Sequence, residues 1–408
     1  MTTVPPIPAI TGGPAPTLPK LTAKDHLEGM TLASGWTLVE RLKPSVGSSG
    51  GNFGAGYRAT KGNEIAFVKA IDFVSALEAA DPLVALGKLV AEATFEKDVL
   101  AYCSERGMTK VLKYLGHEYI SGDGTGNPLT NVSCLIMEAG DQDLRRLINV
   151  VGVPPCAWNL QVMKDVSLGL AQLHRGEIAH LDIKPSNVIS FRDSVGVNHS
   201  NSLIGSAGIS AAVSGAAASP VPVPSLKVKD FKAMKVADLG RVIRKNQAGP
   251  FDNRQWPGDR RYQPPERWYG NVPTDWNDSR ESADAYMLAS LIVYLFTGAT
   301  LQSLVVPKIP IAFLPGNWTG GYDQDLKSVL TDAHAKVLHD HVEPLVMKEI
   351  SAEMMAVLQA LAEVDPLKRG DTKARRQLGK PVGMDRIYQK ISAMAATAAA
   401  VERGRTTL

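Results

Sequence analysis

The chain has 408 residues, room for one large domain or two ordinary ones, and 44% apolar with 21% charged residues is a globular profile that permits a sizeable core. Its basic and acidic side chains nearly cancel, leaving +3, so nothing points to nucleic acid or a membrane surface as a partner. Three cysteines, Cys103, Cys134 and Cys156, are odd in number and form no C-x-x-C pair, which argues against a disulfide framework or zinc site and fits a reducing cytosol.

The opening residues MTTVPPIPAITGGPAP lack the basic and apolar regions of a signal peptide, so a soluble cytoplasmic protein is expected. Residues 1–32, rich in Pro, Thr, Gly and Ala, are expected to be a flexible leader. Next come strand signals at Glu64–Asp72 and 131–137. Between them, 83–106 has helical periodicity, with Leu89, Phe95, Val99 and Leu100 as its apolar contacts. Beyond Leu144 the pattern is mostly helical, clearest at 158–174, 283–296 and 349–364. The most apolar run, 286–296, is too short to span a bilayer and reads as a core helix. Strands first and helices after predict an α+β chain with a small sheet lobe and a larger helical lobe. One stretch, 193–225, is small, polar and Pro-punctuated, and reads as a mobile insertion. His334, His339 and His341 have no matching carboxylate pattern and read as a solvated helical face, not a metal site.

The strongest chemical signal is His180-Leu-Asp182-Ile-Lys184-Pro-Ser-Asn187. A phosphoryl-transfer site needs an acid to orient the incoming hydroxyl, a cation to offset charge on the transferring group, and an oxygen ligand for magnesium. Asp182, Lys184 and Asn187 supply all three from one short loop.

That loop resembles the catalytic loop of eukaryotic-type serine/threonine protein kinases, H-R-D-L-x-x-x-N. Other segments resemble the same family, in its order, over roughly residues 35–371. Asp238-Leu-Gly240 resembles the D-F-G magnesium ligand, Pro264-Pro-Glu266 resembles A-P-E, and Lys69 resembles the lysine of V-A-I-K. The resemblance implies a bilobal fold, with a β-rich N-lobe at 33–138 and a helical C-lobe at 139–373, followed by a helical tail at 374–408. It implies ATP and Mg2+ as cofactors, Asp182 and Lys184 as catalytic residues, and Asn187 and Asp238 as metal ligands. It further implies a protein substrate, with the leader and the insertion free to bind another protein.

In the family's register Gly51, Phe53 and Gly54 match the phosphate-binding turn, while Ser49 stands where its first glycine usually is. Glu96, with Val99 and Leu100 after it, resembles the helix glutamate that pairs with the lysine; Glu92, one turn earlier, is the alternative. Met137, Glu138 and Ala139 resemble the hinge that pairs with adenine. Asp143 reads equally as a ribose ligand or an N-cap. Asp284 resembles the aspartate that fixes the catalytic loop, Arg369 the partner of Glu266, and His180 a residue that orders the loop.

Three departures stand out. Gly56 replaces the family's valine and Phe67 its alanine, and the two changes are expected to compensate in volume; the rival reading is that Phe67 blocks the nucleotide. Asp259 replaces a threonine, where it can pair with Lys184 but adds negative charge near Asp182. Leu181 replaces the arginine that reads a loop phosphate, and residues 240–261 contain no serine, threonine or tyrosine, so control by phosphorylation of that segment is not expected. Small-molecule phosphotransferases usually lack the equivalents of Lys184 and Pro264-Pro-Glu266. A pseudokinase scaffold is disfavoured by the complete set Lys69, Asp182, Lys184, Asn187 and Asp238.

Overall fold

The computed structural model describes residues 23–42, 54–121, 131–152, 154–192, 231–254, 256–379 and 382–406. Ser49, Gly51 and Phe53 of the expected turn lie outside the described residues, as do residues 1–22 and the insertion expected at 193–225. The architecture is mixed α+β, with a sheet in the N-terminal part and mostly helices after it.

Five antiparallel strands form the sheet: β1 (Thr37–Leu42), β2 (Gly54–Lys61), β3 (Glu64–Asp72), β4 (Tyr114–Ser121) and β5 (Asn131–Glu138), in the order β1-β2-β3-β5-β4. Alternation along β3 sends Ala66, Val68 and Ala70 to one face and Phe67, Lys69 and Ile71 to the other. The first face is covered by the chain from residue 23 to 36. Leu27, Leu32 and Trp36 bury there against Tyr57, Val68 and Ile136. Tyr57 Oη donates to the Lys24 carbonyl at 2.6 Å, and Lys24 Nζ lies 3.6 Å from Asp72. This corrects the expected leader, which was to run to residue 32. Alanines at 55, 59, 66 and 70 leave the face shallow, and three large side chains from upstream fill it.

The second face takes the long helix of the sheet region. After a short α1 (Val74–Leu77), helix α2 (Pro82–Glu105) starts on an Asp81 N-cap that accepts the Val84 N–H at 3.1 Å, with Pro82 at its first position. Leu89, Phe95, Glu96, Val99, Leu100 and Cys103 form its buried stripe. Burial pushes the Cys103 and Cys134 thiols up to about 12, so both are inert at neutral pH.

From β5 the chain passes through β6 (Gln142–Asp143) into α3 (Leu144–Val151) and α4 (Cys156–Arg175). Two small ladders follow. One is β7 (Ile178–Ala179) with β10 (Ile243–Arg244); the other is β6 with β8 (Val188–Arg192) and β9 (Phe231–Val236). The helix α5 (Ser282–Thr297) is buried along almost its whole length. Then come α6 (Gln324–Val337), α7 (Ser351–Ala362) and α8 (Met384–Thr406). No single helix among the described residues is long and apolar enough to cross a membrane.

The stretch from 374, expected as a helical tail, packs on the rest of the chain: α8 lies along α4 and buries Ile387, Ile391, Met394 and Ala398 in the shared core. Alanines on α8 let the two helices approach closely. Of the three histidines, His339 is exposed and bonds Glu343 at 2.7 Å, but His334 is buried. It lies one turn from Leu330 on the inward face of α6, donating from Nδ1 to the Leu330 carbonyl at 2.7 Å and accepting the Tyr286 hydroxyl at 2.9 Å. Burial pushes its pKa down to about 4, so it stays neutral.

Arg369 and Glu266 tie the helical part together. They form two bonds of 2.9 and 2.8 Å with both side chains almost fully buried, and Arg369 also reaches Ser282 Oγ at 3.1 Å. Glu266→Ala strands a buried guanidinium and is expected to cost about 3–5 kcal/mol, read as a lower denaturant midpoint at unchanged slope. A midpoint shift worth less than about 0.5 kcal/mol would show the pair to be dispensable.

Candidate active site

The site is built from a loop whose backbone is held from below. Asp284, near the start of α5 and fully buried, accepts the N–H of His180 at 2.8 Å and of Leu181 at 2.6 Å. Leu181 sits in the left-handed region at φ 59°, a strain of about 1–3 kcal/mol for a branched residue, which these bonds help to hold. His180 then links the loop to the next segment. Its Nδ1 accepts the Asp182 N–H at 3.2 Å, and its Nε2 donates to the Ala237 carbonyl at 3.0 Å, one residue before Asp238.

Three donors, making four bonds, fix the Asp182 carboxylate. Lys184 Nζ lies 3.1 and 2.9 Å from its two oxygens, the Asn187 amide donates at 3.0 Å, and the Asp259 N–H donates at 2.8 Å. Asn187 also donates to the Asp182 carbonyl at 2.8 Å. Because both of its partners there accept, the Asn187 amide nitrogen must face Asp182, and its Oδ1 is turned away with only Ser186 Oγ near, at 3.5 Å.

Across from the loop, Lys69 on β3 is held by both oxygens of Glu96 on α2, each at 2.8 Å. Burial pushes the Lys69 pKa down, but Glu96 and Asp238 outweigh it and hold the ammonium above its ordinary value. Glu92 does not join this pair. It accepts from Arg254 at 3.0 Å. Asp238, at φ 60°, is open to water and makes no side-chain hydrogen bond to a described residue. Desolvation by the surrounding protein raises its pKa, yet Lys69, Lys184, His180 and Arg241 outweigh that and keep the carboxyl below its ordinary range. A pocket of about 580 Å³ opens on this side, lined by Gly54, Lys69, Glu96, Asp238, Leu89 and Arg254 among others.

No group of three or more His, Cys, Asp or Glu that could hold a metal gathers among the described residues. What the site offers is one charged carboxylate, Asp238, and one amide oxygen, on Asn187. That donor set fits Mg2+, which keeps waters and takes one or two carboxylates together with ligand phosphates.

At the far end of β5, Met137 is buried opposite Phe67. The Glu138 carboxylate turns away from the site, to Lys235 Nζ at 2.6 and 2.7 Å and the Lys113 N–H at 2.6 Å. The N–H groups of Ala139 and Gly140 make no hydrogen bond to a described residue. Asp143 serves as the N-cap of α3, accepting the Arg146 N–H at 3.0 Å, and burial raises its pKa. Phe67 shares the face of Lys69, and its ring covers Gly56: a Cβ there would lie 2.9 and 3.1 Å from ring carbons. The ring thus occupies the space that a side chain at 56 would need.

Gly258 and His174, not singled out from the sequence, complete the site together with Asp259. Gly258 lies against the loop so closely that a Cβ would collide with the Leu181 carbonyl and come within 2.7 Å of Asp182 Oδ1. Asp259, where the sequence allows a pair with Lys184, makes its hydrogen bonds to Arg261, at 3.0 and 2.7 Å. Burial raises its pKa, while the Arg261 bonds and the charge of Lys184 lower it further, so it stays ionised and its charge is balanced locally. His174 on α4 bonds Asp284 at 3.0 Å from beneath. The nearby glycine at 258 was visible in the sequence as Pro-Gly; His174 carried no local signal.

The sequence matches no protein-family model and no curated protein.

Two outcomes follow from this geometry. The Gly56→Val and Phe67→Ala substitutions are expected to be coupled, with the double variant more stable than the sum of the singles by about 0.5–3 kcal/mol in denaturant melts. Strict additivity would mean that the ring and residue 56 do not compete for space. The second concerns His174, where burial lowers the pKa but the bond to Asp284 and the charge of Glu281 outweigh it and raise it above the ordinary value. Stability from this group is fully present below about pH 6.5 and is lost as pH rises through the raised folded value. His174→Gln is expected to flatten melting temperature against pH above about pH 6.5. An unchanged profile in that variant would assign the pH dependence elsewhere.

Proposed function

We propose that this protein is an ATP-dependent serine/threonine protein kinase with a bilobal protein-kinase-like fold. The observation that carries the reading is the pocket that Lys69, held by Glu96, lines together with Asp238, whose neighbour Ala237 is bonded to His180 of the loop. An anion-binding lysine, a free carboxylate and an oriented carboxylate thus converge from separate elements, as phosphoryl transfer requires.

Bound MgATP supplies the phosphoryl group and the cation that offsets its charge. On this reading Lys69, held by Glu96, pairs with the nucleotide phosphates. Asp238 and the Asn187 Oδ1 take the magnesium. Asp182 accepts the hydrogen bond of the substrate hydroxyl, orients it and receives its proton, and Lys184 offsets charge on the transferring group. The free N–H groups after Glu138 suit an adenine edge, beside Met137. By the family resemblance, the turn with Gly51, Phe53 and Gly54 would offer backbone N–H groups to the phosphates. Lys184 and the Pro264-Pro265-Glu266 segment favour a protein over a small molecule as the acceptor. The Asp182 carboxylate, oriented by three donor groups, favours an enzyme over a scaffold that merely binds nucleotide.

Asp182→Asn is expected to lower phosphate transfer from radiolabelled ATP to a serine or threonine acceptor by about 10²–10⁴-fold. ATP affinity is expected to stay within about twofold, because this residue orients the hydroxyl and does not hold the nucleotide. Wild-type turnover in Asp182→Asn would remove the catalytic assignment.

A further inference from the structure

The segment after Asp238 is clipped onto the same helix that carries Glu96. Arg254 donates to Glu92 at 3.0 Å, and its guanidinium lies 4.6 Å above the Phe251 ring. Phe251 is buried in the main core. Gly249 lies flat against Phe95, where a Cβ would come within 3.0 Å of the ring. Asp252 closes this turn by accepting the Gly249 N–H at 2.9 Å, while its own carbonyl accepts from Arg280 at 2.8 Å. Glu92 and Phe95 thus grip the segment from the helical turn that leads to Glu96, which holds Lys69.

We propose that the Glu92–Arg254 pair is a built-in latch that positions α2, and through it the Glu96–Lys69 pair, without covalent modification of the segment. Its effect on rate rests on the kinase reading; its effect on order does not. Three observations point the same way. The segment 240–261 has six lysines and arginines and no hydroxyl side chain. Leu181, buried in the loop beside Asp182, can bind no phosphate. The pair is half shielded from water, with side chains 35% and 19% exposed, so it is screened less than a surface pair. A partly buried carboxylate on α2 therefore does what an added phosphate would do in a segment able to accept one.

The order of the segment is read by amide hydrogen exchange on the full chain, and activity by initial rate. Glu92→Arg and Arg254→Glu are each expected to raise exchange across 240–261 and the first turns of α2, and to cut kcat about tenfold, with the double reversal recovering both to within about threefold. Glu92→Gln and Arg254→Met give smaller losses of the same sign and serve if a reversal fails to fold. Phosphate-free and autophosphorylated protein are expected to show equal initial rates. Unchanged exchange in the single variants, or a double reversal no better than the singles, would overturn the latch. A rate lag removed by phosphorylation within 240–262 would overturn it too. If no phosphate transfer is found at all, the exchange data still decide the latch, and the failure belongs to the kinase reading.

Discussion

The arrangement depends on one buried carboxylate. Asp284 accepts two consecutive backbone N–H groups, from His180 and Leu181, in the interior of the helical region. A carboxylate in that position is costly unless donors satisfy it. The donors are the turn that reverses the chain before Asp182, so the cost of burying Asp284 is offset only when the loop is in this conformation. His174 adds a third donor with a raised pKa, which strengthens the anchor at lower pH. Everything chemical in the loop, from Asp182 to Asn187, is then a fixed distance from α5.

The opposite wall is anchored differently. Lys69 sits on a strand, Glu96 on a helix, and neither position is rigid without the other. Strand β3 is fixed by its neighbours and by the cover of Leu27, Leu32 and Trp36 on its far side. Helix α2 is fixed by its buried stripe and by the clip at Glu92, Phe95 and Arg254. Asp238 lies between the two walls and is influenced by cations on both. Its left-handed backbone aims an unbonded carboxylate into the gap, as expected where strain is kept at a site and offset elsewhere.

What was legible in the sequence followed local physics. The strand-forming residues of Glu64–Asp72 marked β3, and the helical periodicity of α2 marked Leu89, Phe95, Val99 and Leu100 of its buried stripe. The His180–Asn187 loop was legible because its chemistry is packed into eight consecutive residues. What was not legible depends on partners distant in sequence. The spacing of Val99 and Leu100 singled out Glu96 over Glu92, but what Glu92 does instead is set by Arg254, 162 residues away. His174 is an unremarkable helix residue until Asp284 is beneath it, 110 residues on. Asp259 was read against Lys184, but Arg261, two residues away, competes at shorter range. The leader boundary failed because Leu27 and Leu32 follow closely on a Pro-rich run that hides them, and His334 because its face of α6 is decided by what α5 presents to it.

The central claim is that Asp238 and Lys69 form, with the loop at Asp182, one MgATP site. It is tested most directly by calorimetric titration of the purified chain with ATP, with and without magnesium, in the wild type and in Asp238→Ala. The wild type is expected to bind ATP below about 1 mM, and tighter with magnesium present, whereas Asp238→Ala is expected to bind ATP with an affinity insensitive to magnesium. A wild-type chain with no measurable affinity for ATP at that concentration, or a magnesium effect that survives intact in Asp238→Ala, would contradict it.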